Sequence, residues 1–423
     1  MSGQGGRGAR AAARGGVAAF AVALVLVPVQ ARAATPAADD TAAGWLSRQL
    51  VQGQWVESTP SFPDFGLTAD VVLALDAAGV ASDASAKAAG FLAKPDNVLE
   101  YAGDGAAESY AGPLAKLALV AESRGLNPKS FGEVDLIAQL GKLQAVSGRF
   151  TDVSAQPDAS NGFSQALAVL ALERSGGAPA KAVDFLVGTA CPDGGFPVAL
   201  DGACVSDVDD TALAVQALLA AGRTDAANAG LTWLVGKQSA AGGFKANLPN
   251  SVDNANSTGL AAQALRVGGK TAQADKAVAF LLTLQQGCTA AEPLRGAILY
   301  SAGQTENAVR ATSQAIPGVV GISYAKVSAV GATADVPTVD CTAPTTTTTT
   351  TAPTLDPVLN PNDGTNTGTG NIVGNPSPQG ARSPALAATG TFHPAVAWLG
   401  FLLLASGVAL VALSRARRIR GNS

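Results

Sequence analysis

The chain has 423 residues, of which 47% are hydrophobic, 5% aromatic and 14% charged. That is apolar enough to bury a large core, and it excludes wholesale disorder. Eight of its 28 basic residues are arginines in the first 33 and last nine positions, where no acidic residue occurs, so residues 34–389 keep 20 basic against 32 acidic residues, a net of −12 that makes a poor nucleic-acid binder.

Residues 1–33 read as a secretory signal peptide. Arg7, Arg10 and Arg14 precede an apolar run at 16–29, and the small residues Ala31 and Ala33 stand at the −3 and −1 positions of a cleavage site. The run is shorter than the roughly 20 residues that span a bilayer, and Pro28 breaks it, which favours removal over a retained anchor. Residues 34–42 are read as a short leader.

Residues 43–318 repeat. A helical run closes on Ala74-Leu75, Ala118-Leu119, Ala171-Leu172, Ala217-Leu218, Ala264-Leu265 and Ala315-Ile316. An aromatic-Leu pair opens five units, at Trp45, Phe91, Phe185, Trp233 and Phe280. Between these marks lies a Gly-aromatic turn: Gly53-Gln54-Trp55, Gly148-Arg149-Phe150, Gly194-Gly195-Phe196 and Gly242-Gly243-Phe244. A period of about 45 residues means one supersecondary unit stacked repeatedly. Residues 181–187 carry apolar side chains at i, i+3 and i+4, a half-polar helix. Residues 211–221 are apolar nearly all round, as suits a helix buried on every side. The apolar helices should therefore stand innermost, and about six helix pairs closing on themselves predict an all-α, α/α barrel.

The run Trp233-Leu234, then Gln238, then Gly242-Gly243-Phe244 resembles the repeat motif of squalene–hopene cyclases and prenyltransferase β subunits. The resemblance covers about 275 residues and implies the α/α toroid fold. Other units match in part: Ala190 replaces the Gln, the first unit is a residue short, and the sixth keeps Gln285 without a Gly-aromatic turn.

Asp207-Val208-Asp209-Asp210 is similar to the D-x-D-D motif of class II terpene cyclases, and by that resemblance Asp209 would protonate an alkene or epoxide. Crowded carboxylates can keep one proton, because they cannot all ionise together. The competing reading is structural. The aspartates begin a buried helix, Asp is a good N-cap, and the helix dipole favours its ionised form. Aligned positions, Asn256-Ser257-Thr258 and Phe163-Ser164-Gln165, are variable but keep polar residues, so the pattern reads as helix-start chemistry. A lone toroid and few aromatics also argue against a cyclase. Capping by Asp209 is the favoured expectation, and no catalytic residue is assigned.

Other chemistries find little support. Asp201 with Asp207, Asp209 and Asp210 lacks the Gly and Glu of an EF-hand, so no metal or cofactor is expected. The only histidine, His393, lies beyond the sorting site described below, so the processed protein lacks a Ser-His-Asp triad and the histidine of a prenyltransferase zinc site. Cys288 is followed by Thr289-Ala290-Ala291, not by a thioester motif. Secreted cobalamin carriers resemble this toroid and remain an alternative. Cys191, Cys204, Cys288 and Cys341 allow three disulfide connectivities in an exported protein. Cys191–Cys204 and Cys288–Cys341 are favoured, the second pinning a 319–341 extension that could supply a strand or two.

Residues 342–389, with threonine throughout 345–351, have the composition of a solvated stalk. Leu386-Ala387-Ala388-Thr389-Gly390, the apolar stretch 395–413, and Arg415, Arg417, Arg418 and Arg420 follow in order. Together they resemble an L-A-x-T-G sortase sorting signal, with 390–423 as the part removed. The resemblance implies cutting after Thr389, with a sortase and peptidoglycan as partners and membrane contact only through the precursor's C-terminal helix. The expected function is a wall-anchored surface protein displaying the toroid as a module for an unknown ligand at its mouth. The alternative is a terpene-cyclase-like isomerase.

Overall fold

A computed structural model describes residues 37–342, with the exception of residue 249. The signal peptide, the stalk beyond Thr342, and the sorting signal with its apolar stretch lie outside the described residues. Among the described residues no helix is long and apolar enough to cross a membrane.

Thirteen α-helices are described: α1 (Ala38–Ser47), α2 (Phe65–Ala78), α3 (Ser82–Leu92), α4 (Pro95–Ala102), α5 (Ala111–Ser123), α6 (Leu136–Lys142), α7 (Gly162–Arg174), α8 (Ala180–Gly188), α9 (Val208–Ala220), α10 (Thr224–Lys237), α11 (Ala255–Val267), α12 (Thr271–Leu284) and α13 (Ala308–Val320). Two short antiparallel pairs, β1 (Glu57–Thr59) with β2 (Phe62–Pro63) and β3 (Phe196–Pro197) with β4 (Ser206–Asp207), decorate the loops.

Helices α2, α5, α7, α9, α11 and α13 each pack on the next, and α13 returns to α2, so the inner ring is closed. Their composition explains the placement. In α9 every residue from Val208 to Leu218 is buried except Asp209, which only a helix covered on all sides tolerates. The outer helices bury one stripe, as in α8 with Ala182, Val183 and Leu186. Helix α4 is an extra element in the second unit.

The inner helices run parallel. At one end Arg310 of α13 pairs at 3.4 Å with Asp64, the N-cap of α2. At the other, Arg124 of α5 pairs at 2.9 Å with Asp76 of α2, and Arg174 of α7 pairs at 3.3 Å with Glu122 of α5. All six N-termini therefore gather at one end, the mouth.

One staple recurs in each of five units. A hydroxyl or amide on the first turn of the inner helix accepts the backbone N–H of the preceding turn. Thr68 serves Val56, Gln165 serves Phe150, Thr211 serves Phe196, Thr258 serves Phe244 and Thr312 serves Ile298, at 2.8–3.0 Å. This corrects two readings. In the first unit Val56, not Trp55, fills the stapled position. The sixth unit does keep its turn, with Gly296 at φ +101° and Ile298 in place of the aromatic. The glycine is needed because a Cβ there would strike the carbonyl of the neighbouring outer helix: Thr41 beside Gly296, Lys276 beside Gly242.

The motif glutamine closes the outer layer. Gln238 donates to Gly242 O and Gln273 O, joining its own turn to α12. Gln285 donates at 2.7 Å to Ala38 O, and the Trp45 indole donates at 2.7 Å to Pro293 O, so the last unit is fastened to the first.

After α13 the chain forms a strap across the end opposite the mouth. Tyr324 N donates to Gln216, Arg174 donates to Tyr324 O and Val327 O, Ala329 N donates to Ser123 O, and Thr333 N donates to Gly79 O. This extension contains no strand. Its backbone groups are satisfied by the inner helices' C-terminal ends, which present carbonyls rather than a sheet edge. Two disulfides, Cys191–Cys204 and Cys288–Cys341, are present, the second fixing the end of the strap.

Candidate functional site: the acidic mouth and the lumen

The three aspartates at the start of α9 take different positions. Asp207 is the N-cap. One carboxylate oxygen accepts Asp209 N at 2.8 Å and Asp210 N at 3.2 Å, and the other accepts Asn247 N at 3.1 Å. The expectation that Asp209 caps the helix is thus wrong. An N-cap needs extended backbone, which Asp207 has and Asp209, inside the first turn, has not.

Asp209 is partly buried at the mouth, and its Oδ1 has no hydrogen-bond partner. Burial and then the negative charge of Asp207 push its carboxyl up to about 7, with the nearby Ser257 hydroxyl pulling the other way. Asp210 is 1% exposed, its Oδ1 also lacks a partner, and burial with both neighbouring carboxylates raises it well above the usual range. Its carboxyl lies against the Cα of Gly162, where a Cβ would collide with it. Burial and then the charge of nearby Asp209 raise the Tyr300 phenol. Burial and the neighbouring carboxylate thus oppose the helix dipole at Asp209. Asp201 does not join the cluster; it pairs with Arg149 at 2.8 Å. Among the described residues no group of three metal-ligating side chains occurs.

Asp209, Leu213 and Gln216 share one face of α9, as Asn256, Leu260 and Gln263 do of α11. The opposite face of α9, with Thr211 and Val215, packs on Gly230 of α10. The first set therefore faces the axis. Leu213 and Leu260 are 4% and 5% exposed and their neighbours Ala212, Ala214, Ala261 and Ala262 are 0% exposed, so all belong to the buried core. Lys116 and Asp70, paired at 2.7 Å, and Tyr324 keep comparable residual exposure.

Two turns below the mouth the axis is polar again. Gln216 accepts Tyr324 N through Oε1, but its Nε2 has no partner. Neither amide atom of Gln263 has one, nor does Asp70 Oδ2. The Tyr324 phenol is raised by burial and then by Asp70, with the Gln263 side chain pulling the other way. A buried polar atom left unpaired costs about 1–3 kcal/mol, so this floor is an expensive arrangement for a packed barrel.

The sequence reading singled out the aspartates, and Ser257 only as part of a helix start, but missed Asp70, Lys116, Gln216, Gln263, Tyr300 and Tyr324. A lone polar residue two turns into an apolar helix was the available signal for Gln216 and Gln263. Trp233, Gln238, Gly242 and Phe244 sit between inner and outer layers and hold the fold. Trp233 donates to Asp193 at 2.8 Å with Lys237 over its ring.

No protein-family model matches the sequence, and no curated protein matches it. Solved structures do. The type II terpene cyclase MstE from Scytonema is 16% identical over 67% of this chain and 96% of its own, with a TM-score of 0.51. A variant of it in complex with geranylgeranyl dihydroxybenzoate is 16% identical over 67% and 95%, with a TM-score of 0.50. Candida albicans protein geranylgeranyltransferase-I complexed with GGPP is 11% identical over 67% and 90%, with a TM-score of 0.46. At these identities the likeness concerns the fold alone: this chain has the α/α toroid seen in that terpene cyclase.

Proposed function

We propose that this chain is an exported surface protein whose toroid binds a small ligand entering end-on at the mouth, and that the stalk and Thr389 link it to peptidoglycan. One observation carries the binding role: a carboxyl oxygen of Asp209 and one of Asp210 are buried without a hydrogen-bond partner at the mouth, where the inner helices begin. Two disulfides suit an oxidising compartment. A thermal-shift screen on the purified full-length chain, including cobalamin, polyprenyl lipids and wall fragments, tests the binding role. A hit whose stabilisation is lost in Asp209→Asn supports it; a screen without hits counts against it. Attachment is tested by fractionating cells making wild type and Thr389→Ala. Release of the wild type by detergent alone, without muramidase, would sink the wall assignment.

A second reading has its own support. Asp209 keeps a proton near neutrality, as an acid that protonates an alkene must. The objection that one toroid is too few weakens, because MstE, itself named a type II terpene cyclase, is matched over 96% of its length by 67% of this chain. Against catalysis stands the charged Lys116–Asp70 pair. Cyclised product from squalene, oxidosqualene or shorter polyprenyl chains with wild type, and none with Asp209→Asn, would establish the enzyme and displace the binding module.

A further inference from the structure

The outer helices repeat as the inner ones do, and α10 departs from the pattern at one position. Four residues before the aromatic side chain of the repeat stand Thr41, Lys87, Lys181, Ala229 and Lys276 in turn. Lys87 therefore lies against the turn at Gly53, Lys181 against Gly148 and Lys276 against Gly242, whereas Gly194 meets Ala229. With only a methyl group at this place, an open surface groove of about 540 Å³ lies between two walls. Asp193 and Gly194 of the turn form one, and Ala229, Thr232, Trp233 and Lys237 of α10 form the other.

Trp233 gives this groove an aromatic wall. Its ring packs on Gly195, where a Cβ would come within 2.8 Å of Cε2, and the rest of it stays partly exposed. Trp45, the other tryptophan at this place in the repeat, is 3% exposed and donates to Pro293 O. The Trp233 indole donates instead to the exposed Asp193, at Oδ2. Asp193 Oδ1 accepts the Ser206 hydroxyl and Gly195 N, so the carboxylate is held in place beside the ring. Lys237 Nζ stands 4.8 Å from the ring centroid. Neither charged residue is general to the repeat: Ser147 and Ala241 precede the turn glycines that correspond to Gly194, and Thr189 and Leu284 stand where α10 has Lys237.

The two charges in the groove are of opposite sign. An anion would face Asp193 and a cation would face Lys237. An apolar group would strip water from both without replacing its hydrogen bonds. A neutral ring rich in hydroxyls, with one apolar C–H face, matches the lining: the face covers the indole, and the hydroxyls meet the carboxylate, the ammonium and Thr232. Lys237 is exposed, and its flexible stem swings aside to admit the ring. We infer that this groove is a carbohydrate-binding site, which seats one neutral pyranose residue of a glycan with its C–H face on Trp233 and its hydroxyls on Asp193 and Lys237. The site lies on the outer layer and does not depend on any ligand at the mouth.

Calorimetric titration of the full-length chain tests this. The probes are triacetylchitotriose, cellotriose and maltotriose, with sorbitol as an acyclic polyol and trialanine as a peptide. Saturable binding of at least one trisaccharide is expected, about tenfold or more tighter than either sorbitol or trialanine. Ala229→Lys, at an exposed helix position, restores the lysine of three other outer helices and fills the groove. It should leave the melting temperature unchanged and weaken sugar binding about tenfold or more. Trp233→Phe keeps a ring on the turn, as Phe185 and Phe280 do at the same place, but removes the indole N–H and part of the stacking surface. It should weaken binding about fivefold without unfolding the unit. If no trisaccharide binds, if Ala229→Lys binds sugar as tightly as wild type, or if trialanine binds as well as the sugars, the inference is overturned. Sugar binding that survives Ala229→Lys but is lost in Asp209→Asn also overturns it, and places the sugar at the mouth instead.

Discussion

Asp207 accepts three backbone N–H bonds, two from the first turn of α9 and one from Asn247, so it holds both the helix start and the neighbouring loop. Asp207→Ala should therefore cost about 0.5–2 kcal/mol, at the upper end because a loop contact goes with the cap, whereas Asp207→Asn should be nearly silent. Urea unfolding of the two variants measures the difference. Asp209 behaves in the opposite way. Its folded-state value lies above the ordinary 3.8, at about 7, so the native state holds a proton that the unfolded chain has released. Its contribution to stability is fully present below about pH 4 and is lost as pH rises through about 7. Asp209→Asn should thus gain on wild type as pH climbs from 4 to 8. Melting curves of both proteins across that range test the sign, and a difference independent of pH would show that Asp209 titrates normally. Asp207, Asp209 and Asp210 were legible in the sequence as a cluster, but not which of them caps. Motif spacing does not state where backbone dihedrals turn helical.

Five of the six inner helices begin with the same device, and its logic lies in the backbone. The turn that leads in exposes an N–H facing the core, and a side chain on the first helical turn must accept it. Thr258→Val keeps the shape and removes the acceptor from Phe244 N–H, so it should destabilise by about 1–3 kcal/mol, while Thr258→Ser should cost less. Equilibrium unfolding of the two variants separates lost packing from the lost bond. The recurrence of polar residues at these positions was visible in the sequence, as were the inner helices, because a helix apolar all round has only one place to go. The sixth turn was not visible. A longer loop separates Gln285 from Gly296, and Ile298 replaces the aromatic side chain that marked the other turns. The same limit hid the floor. Gln216 and Gln263 look like single polar interruptions until the closed ring brings their helices together with Tyr324, which comes from a segment with no periodicity at all.

Closure of the molecule depends on long-range ties rather than on any one unit. The outer layer is joined end to end by Gln285 and Trp45, and the strap crosses the inner helices' C-termini from Gln216 to Gly79. Helices with such broad contact need few extra constraints, but the strap has no helix or strand of its own. It is held by backbone bonds, by Arg174, and by Cys288–Cys341. That disulfide closes a sequence separation of 53 residues and Cys191–Cys204 one of 13. Chain entropy alone assigns them about 4 and about 3 kcal/mol respectively. The larger distinction is in what each one positions. Cys191–Cys204 restrains a surface loop, whereas the other holds the segment that carries Tyr324 to the floor of the lumen. Replacing Cys288 and Cys341 by serine should lower the melting temperature more than the same change at Cys191 and Cys204. It should also speed tryptic cleavage after the exposed Lys326, because local release of the strap opens it to protease without unfolding the ring. Equal cleavage rates in the two double variants would mean that Arg174 and the backbone bonds suffice to hold the strap.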